Sequence, residues 1–453
     1  MRIFPAIISP FRRGLQTLSE RRRTRHRAAL SQGAVRDYSP GRAERGQRGI
    51  AIIAVSVAVV FLTTISFEFS TNTNVDYVAA GNARDNIRAH FLARSAMNLT
   101  HLMIRFQTDI LDKNRKRLGD IQFADFAPMF MGLFGGSKGE VEGYSALLGA
   151  PGGDKLKGLG ISAGEFTVHI STEDAKINVN CAHGNEQTRQ TLKAKLEALI
   201  YFDAFNPVFE NPDAEGWQRT RAEQVTAILD YIDRDGGKFG AGGSPEDYGY
   251  ETLDDKYRAK NNYLDSVEEI KLIRGVDDQF WTLFGNQFTV YGGCTVNLAA
   301  VTDIKLLASI IYLSAKADND PVVRDPEKLW ALASVVAQAK NFGMSWDELK
   351  TFADFVRDPA GQLETLFNIP DNGNVPLPSL SQVDGVELDL KKLGQVAHVG
   401  SRRTYRVEAT AFVGAKNRRF VKRMTGVWDT QTTNQNSRDP SYAKGAWVFW
   451  KED

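Results

Sequence analysis

The sequence predicts an α+β fold in which one long N-terminal helix leads into β-strands, with a large helical region inserted between them. Residues 50–127 contain no proline, and their apolar residues recur at helical spacings of three, four and seven. Apolar and polar residues alternate at 165–180 and again at 404–428, which is typical of strands. The 453 residues are enough for about two or three compact domains.

The N-terminal 49 residues form a strongly basic leader. They contain twelve arginines and no lysine, and their only acidic residues are Glu20, Asp37 and Glu44. The leader therefore carries +9, and because the whole chain carries +1, about −8 remains on the rest. Positive charge next to an apolar helix favours the cytoplasmic side of a membrane. We predict that the leader is cytoplasmic and that the acidic body lies on the opposite side.

The long helix begins with an apolar run that predicts a membrane span. Residues 50–67 are 18 residues without a charge, and as a helix they would cover about 27 Å. Phe67, Glu68 and Phe69 do not form the small-residue cleavage site that follows a secretory signal. The helical spacing of apolar residues continues beyond this run, so we predict one unbroken helix that ends near Asn114.

The segment Arg48-Gly49-Ile50 stands directly before the apolar run. This arrangement resembles the processing signal of type IV pilins and type II secretion pseudopilins, in which a membrane peptidase cuts on the cytoplasmic side, after the glycine. The resemblance implies that the mature protein begins at Ile50. The alternative is an ordinary single-pass anchor in which Gly49 occurs by accident.

The fifth residue after this cleavage position narrows the resemblance. Most pilins and pseudopilins have a glutamate there, whose carboxylate pairs with the terminal amine of a neighbouring subunit inside the apolar bundle. This chain has Ala54 instead. Its sequence is therefore similar to the minor pseudopilin K of type II secretion, which lacks the glutamate. The leader departs from the family because it is longer than usual.

The body resembles the same family at several segments in the family's order. Residues 171–182 are similar to the family signature D-x-x-x-K-I-N-L-N-T-A, with Cys181 where threonine is usual. Further similar segments follow at 222–235, 260–276 and 288–299. The resemblance implies a long transmembrane and amphipathic helix packed on a pilin-like antiparallel sheet, with a large inserted α-helical domain.

This architecture divides the chain into eight predicted segments. They are a basic cytoplasmic leader at 1–49 that the prepilin peptidase removes, the long helix at 50–114, the first part of the pilin-like domain at 115–182, the inserted helical domain at 183–287, a strand of the pilin-like sheet at 288–300, further helices at 301–368, a linker at 369–388 and C-terminal strands at 389–453.

Three local features of the body are also predicted. Residues 165–171 and 176–180 read as the two strands of a β-hairpin, because alternating segments flank a polar turn. Pro326 starts a helix that runs through Asn341. Ser345 and Glu348 have capping-box spacing and predict the start of another helix.

A helix-hairpin-helix DNA-binding protein is a rival interpretation. The segments at 179–182 and 296–299 suggest an internal repeat, and Arg274-Gly275-Val276-Asp277-Asp278 resembles the hairpin of such modules. However, an aspartate replaces the second glycine, and the net negative body has the wrong sign for phosphate binding. We therefore predict no nucleic-acid partner.

Enzymatic activity has little support in the sequence. The six histidines are scattered without zinc-binding spacing, and no G-x-S-x-G, P-loop or G-x-G-x-x-G motif follows a predicted strand. The histidines are His26, His90, His101, His169, His183 and His398. We predict that the chain is not an enzyme.

An acidic loop predicts a calcium site. Asp230, Asp233 and Asp235 cluster at the end of a helix, and Glu246 and Asp247 follow in the next loop. Clustered carboxylates on a turn hold hard cations such as calcium, and the resemblance adds support because pseudopilins of this kind often bind calcium. The spacing is not that of an EF-hand. The alternative is a solvated acidic helix end.

The chain has two cysteines, Cys181 and Cys294, next to the two similar segments at 179–182 and 296–299. In an oxidising periplasm, two neighbouring cysteines favour a disulfide. Two small buried thiols are the alternative, because sequence alone does not give the distance between the α-carbons.

The resemblance implies a function in assembly. The chain would be a minor pseudopilin in the inner membrane, single-pass with its body in the periplasm, that initiates and caps the tip of the pseudopilus. Its implied partners are the I and J pseudopilins, the prepilin peptidase and the inner-membrane secretion machinery. A minor pilin of a type IV pilus is the strongest alternative, because it shares the signal and the fold.

Overall fold

The computed structural model describes residues 47–114, 122–127, 164–213, 216–240, 246, 248–253, 255–367, 383–414, 419–433 and 444–453. Among these, the residues up to Ala80 and those from Gly81 onward form two separate compact units. Nearly all of the predicted leader and most of the predicted linker at 369–388 lie outside the described residues.

The described helices and strands follow one another along the chain as follows. The helices are α1 Gln47–Phe106, α2 Glu186–Leu199, α3 Asn206–Glu210, α4 Arg221–Ile232, α5 Asp278–Phe284, α6 Ile304–Ser314, α7 Pro321–Arg324, α8 Pro326–Asn341, α9 Leu349–Arg357, α10 Pro359–Phe367 and α11 Leu390–Val396. The strands are β1 Gly164–Thr172, β2 Ile177–Asn178, β3 Phe288–Thr289, β4 Val296–Asn297, β5 Ala397–His398, β6 Thr404–Val413, β7 Phe420–Thr433 and β8 Lys444–Glu452.

Helix α1 is unbroken over 60 residues, as the absence of proline predicts. It ends in a π turn, Gln107–Leu111, and a 3₁₀ turn, Asp112–Asn114. All side chains at 50–80 are exposed. Within the described part of the chain, this is the one helix long and apolar enough to cross a membrane.

The main sheet has four antiparallel strands in the order β1-β6-β7-β8. The part of α1 beyond Gly81 packs on this sheet and shares a core with it, which includes the buried Ala89, Ala93 and Ala96 of the helix. Small side chains at three- and four-residue spacing let the helix backbone approach the strands closely. An antiparallel sheet with a helix on one face confirms the predicted α+β class.

The chain between β1 and β6 forms a helical domain with one core. Buried residues from Ile177 to Ala397 belong to a single apolar cluster. Helix α6 packs against α2, α8 and α11, so the helices before and after residues 288–300 share this core. The insertion predicted at 183–287 and the further helices predicted at 301–368 are therefore parts of one body.

Two predicted strand pairings differ from the structure. β1 pairs along its whole length with β6, from Gly164 with Val413 to Thr172 with Tyr405, and does not form a hairpin with residues 176–180. Residues 288–300 do not join the main sheet, because β3 pairs in parallel with β2 and β4 pairs in parallel with β5. Residues 177–179 are all buried, without the alternation of buried and exposed residues that a hairpin strand shows. This pattern suits a segment that crosses the core better than a half-exposed strand, which explains the difference.

The start of the helical domain is joined to the segment between β3 and β4. A disulfide joins Cys181, just after β2, to Cys294, between β3 and β4. The ammonium of the buried Lys195 donates a hydrogen bond to the carbonyl oxygen of Cys294. The amide of Asn178 donates to the carbonyl oxygen of Gly292, 2.9 Å away. These contacts hold the first residues of the domain beside the segment between β3 and β4, in the middle of the same domain.

Candidate functional site

Three carboxylates converge at the end of α4 and form what we call the carboxylate cluster: Asp230, Asp233 and Glu246. One oxygen from each lies within 4.8 Å of the others. A capping box at Thr220 and Glu223 starts α4. The helix buries nearly all of its second half in the domain core, which fixes the last turn and places Asp230 where it is fully buried.

Asp230 is held by two hydrogen bonds. The backbone N–H of Phe239 donates to its Oδ1 at 2.9 Å, and the hydroxyl of Tyr248 donates to its Oδ2 at 2.5 Å. Both donors come from the chain that follows α4. The segment after the helix therefore folds back over its last turn and closes one side of the cluster.

Asp233 is only 1% exposed, and its two oxygens have different surroundings. Oδ2 accepts a hydrogen bond from Nη1 of Arg189 on α2, at 3.3 Å. Oδ1 is buried and has no hydrogen-bond partner among the described residues. Both carboxylate oxygens of Glu246 are buried as well. Buried carboxylate oxygens are costly unless a proton, a donor or a cation satisfies them.

Burial and the closeness of the negative charges raise the pKa values of the carboxyl groups in the cluster. Burial, together with the charges of Asp235 and Asp230, raises the pKa of Asp233 to about 7. Burial, together with the charges of Asp233 and Asp230, raises the pKa of Glu246 to about 8. Burial also raises the pKa of Asp230. Each of these carboxyl groups would be stabilised in its charged form by a bound cation.

The structure brings together some of the predicted ligands. Asp230, Asp233 and Glu246 meet, whereas Asp235 stands outside the cluster with a side chain that is 58% exposed. Its Oδ2 accepts a hydrogen bond from Arg189 at 3.2 Å, and its Oδ1 accepts one from the backbone N–H of Gly237. Asp247, also predicted, lies outside the described residues.

The donor set fits a hard cation. All its side-chain donors are carboxylate oxygens, which suit calcium, magnesium or manganese better than zinc or copper. The Oδ1 of Asp233 is buried without a hydrogen-bond partner among the described residues, so a proton, a donor or a cation could satisfy it. Sequence reasoning missed Tyr248 and Arg189, which contact the cluster from 18 residues after Asp230 and 44 residues before Asp233. No spacing pattern in the sequence predicts contacts between residues so far apart along the chain.

The predicted processing residues lie on α1. Gly49, Ile50 and Ala54 are all exposed on the helix, and a side chain at Gly49 would meet nothing within 4 Å. The structure is compatible with access to this position in the isolated chain.

The hairpin of the DNA-binding interpretation is engaged inside the protein. Arg274 is 8% exposed and forms an ion pair with Asp213 at 3.4 Å. The carbonyl oxygen of Gly275 accepts a hydrogen bond from the buried Arg219, and Asp277 caps α5. These groups hold the domain together from within, so they do not form a basic surface for phosphates.

Comparison with known proteins supports the resemblance. Residues 175–290 match the family model of protein K of the type II secretion system, which confirms that resemblance for this segment. A chain in the crystal structure of the GspK-GspI-GspJ complex from the enterotoxigenic Escherichia coli type 2 secretion system is similar, with 12% identity and a TM-score of 0.39. That similarity covers 64% of this chain and 80% of the other. A search of curated proteins found no match.

Proposed function

We propose that this chain is a minor pseudopilin of the type II secretion system. The observation that carries the proposal is the match of residues 175–290 to the protein K family. The helix α1 agrees with it, because its exposed apolar start could cross a membrane while its later part packs on an antiparallel sheet. The same long helix and sheet are what the sequence resemblance implies for a pseudopilin.

The proposed topology follows from charge and hydropathy. Residues 50–67 anchor the chain in the inner membrane, the arginine-rich leader stays in the cytoplasm, and the acidic body lies in the periplasm. The prepilin peptidase removes the leader after Gly49. The chain then assembles with other minor pseudopilins of the I and J type, and initiates and caps the pseudopilus tip.

Processing after Gly49 is tested by changing this glycine. We expect Gly49→Leu to block cleavage, because a side chain at this position obstructs the narrow site of the peptidase. Gly81→Leu is the matched control, since Gly81 lies on the same helix and a β-carbon added there would also meet no atom within 4 Å. Intact mass spectrometry of the wild type should show a chain beginning at Ile50 that disappears in cells without the peptidase.

A wild-type chain that still begins at Met1 when the peptidase is present would contradict this processing. Deletion of the whole protein then separates the two filament classes. We expect loss of protein secretion with normal pili. Loss of pili with normal secretion would instead identify a minor pilin of a type IV pilus.

Ala54 gives a second test of the assembly role. Ala54 is exposed on α1, so Ala54→Glu should leave the folded body intact. A carboxylate there adds a charge that has no partner at the filament tip, and we expect secretion to fall. Ala54→Gln is the neutral control of similar size. Normal secretion by the glutamate variant would contradict the role assigned to this position.

We also propose that the carboxylate cluster binds calcium. Asp230, Asp233 and Glu246 would hold the ion, and the bound charge would satisfy the buried oxygen of Asp233. The ion would stabilise the segment that folds back from the end of α4, because Tyr248 and Phe239 are already bonded to Asp230. This stabilises the periplasmic body and performs no chemistry.

Calcium titration of the full chain in detergent tests this site. We expect calcium to raise the unfolding temperature of the wild type and to have little effect on Asp233→Asn, which removes a ligand charge. Asp235→Asn is the matched control, because this aspartate is in the same loop but outside the cluster. An equal calcium response in the wild type and Asp233→Asn would refute the assignment.

A further inference from the structure

One cation of the protein itself already lies at the carboxylate cluster. Arg189 extends from α2, and its Nη1 donates to Asp233 at 3.3 Å and to Asp235 at 3.2 Å. Its Nη2 donates to Glu186 at 2.8 Å, one turn earlier on α2. The guanidinium also lies 5.7 Å from the ring centre of Phe239, whose backbone N–H binds Asp230.

The position of Arg189 is therefore well defined. Its side chain is 21% exposed, and three carboxylates and an aromatic ring surround its guanidinium. Arginine suits this position because its planar group can bond several carboxylates at once. The side chain connects α2 to the loop after α4 and supplies one positive charge where negative charge is most crowded.

We infer that Arg189 is a built-in counter-cation that stabilises the metal-free loop and sets the affinity of the cluster for a divalent cation. This inference rests on the proposed calcium site. Arg189 shares Asp233 with the cluster, so a bound ion and the guanidinium compete for the negative charge of the same carboxylate. The bound ion and the guanidinium would both lie next to Asp233, and two positive charges that share a carboxylate in a partly buried site repel each other substantially.

Arg189 would thus stabilise the metal-free loop and weaken cation binding. A variant without the guanidinium charge should therefore show opposite effects in the two conditions. In the metal-free protein, loss of Arg189 leaves Asp233 and Asp235 without their guanidinium, and the loop is less stable. In the presence of calcium, loss of Arg189 removes the repulsion, and the ion binds more tightly. A residue that only packed α2 against the loop would lower stability in both conditions and would not tighten binding.

Isothermal titration of the full-length chain in detergent with calcium chloride tests the inference. We expect Arg189→Gln to bind calcium about tenfold more tightly than the wild type or better, and to unfold at a lower temperature without metal. We expect Arg189→Lys to bind with an affinity within about threefold of the wild type, because it keeps the charge. It should still lose some metal-free stability, because an ammonium cannot bridge both aspartates as the guanidinium does.

The outcomes separate the inference from the calcium site itself. If the wild type binds calcium and Arg189→Gln binds no more tightly, the counter-cation function is refuted while the site stands. If neither chain binds calcium, both the site and the inference are refuted. If Arg189→Gln does not fold, Arg189→Lys decides, since tenfold tighter binding by the lysine variant would show that charge is not what sets the affinity.

Discussion

His398 lies where the helical domain meets the main sheet. It ends β5, its carbonyl oxygen accepts a hydrogen bond from Leu298 at 2.8 Å, and its Nδ1 is 2.9 Å from the hydroxyl oxygen of Thr295. Burial lowers the pKa of His398 below its usual 6.5, although the charge of Asp174 acts in the opposite direction. The folded protein therefore favours the neutral imidazole.

This environment predicts that His398 contributes a loss of stability in mild acid, whereas the raised pKa values of Asp233 and Glu246 act in the opposite direction over the same pH range. As the pH falls through about 6.5, the unfolded chain takes up a proton at this histidine more readily than the folded chain does. This loss of stability is absent at pH values above the pKa of His398 in the unfolded chain. It is complete at pH values below the pKa of His398 in the folded protein. We expect the difference in unfolding temperature between His398→Gln and the wild type to shift in favour of the variant when the pH is lowered from 7.5 to 5.5.

His169→Gln is the control for this measurement, because His169 is exposed on β1. It should keep the pH dependence of the wild type. If the unfolding temperature of the His398 variant changes with pH as that of the wild type does, burial of His398 does not contribute to the pH dependence of stability.

The candidate site was partly predictable at the level of residues. The sequence placed Asp230 and Asp233 at a helix end, and the structure joins Glu246 to them. It did not separate Asp235 from the cluster, because a two-residue step along a turn can point to either side of the loop. Arg189 was not predictable, since only the packing of α2 beside α4 brings it near.

Among the elements, α1 makes a close contact with the sheet. Its buried Ala93 and Ala96 have 0% exposure, and they lie between the larger buried Leu92 and Met97. A β-carbon on Gly426 of β7 would stand 3.0 Å from Met97, which shows how little space remains. The helix and the strands are therefore matched in shape as well as in hydrophobicity.

This contact predicts that a larger side chain is not tolerated. We expect Ala96→Leu to lower the free energy of unfolding by ~1–3 kcal/mol, because overpacking forces neighbours out of place. Ser95→Leu is the matched control on the exposed side of the same turn. Chemical denaturation of both variants measures the difference, and equal stabilities would show that the contact is loose.

Local sequence signals predicted one helix start correctly and placed another too early. Pro326 and the cap residue Asp325 fix the start of α8, which runs through Asn341 as predicted. The serine at 345 suggested an earlier start for the next helix, but α9 begins at Leu349. The prediction of a hairpin after β1 was wrong for a different reason. Which strand β1 joins depends on a partner far along the chain, and no local pattern encodes that choice.

In the whole molecule, the disulfide links the start of the helical domain to the segment between β3 and β4 in its interior. Cys181 and Cys294 are separated by 113 residues along the chain, and the bond between them restricts the unfolded state of the entire segment. Cross-links that close long loops remove much of the entropy of the unfolded chain. The disulfide is thus expected to stabilise the domain as a unit.

The double variant Cys181→Ser with Cys294→Ser tests this expectation. We expect its free energy of unfolding to be lower by about 2–5 kcal/mol under oxidising conditions. A reducing agent should lower the stability of the wild type and leave the double variant unchanged. A wild type that is insensitive to reduction would argue against a stabilising function for this bond.

The pairing of β1 with β6 also determines when the body can finish folding. The hydroxyl of Thr172 donates to the carbonyl oxygen of Thr404, which is 232 residues later in the chain. At ~5–20 residues per second, a ribosome needs roughly 10–50 s to make that stretch. During this interval β1 exists without its neighbour, whereas the helical domain, whose core ends at Ala397, is completed first. The sheet is therefore the last part of the newborn chain to close.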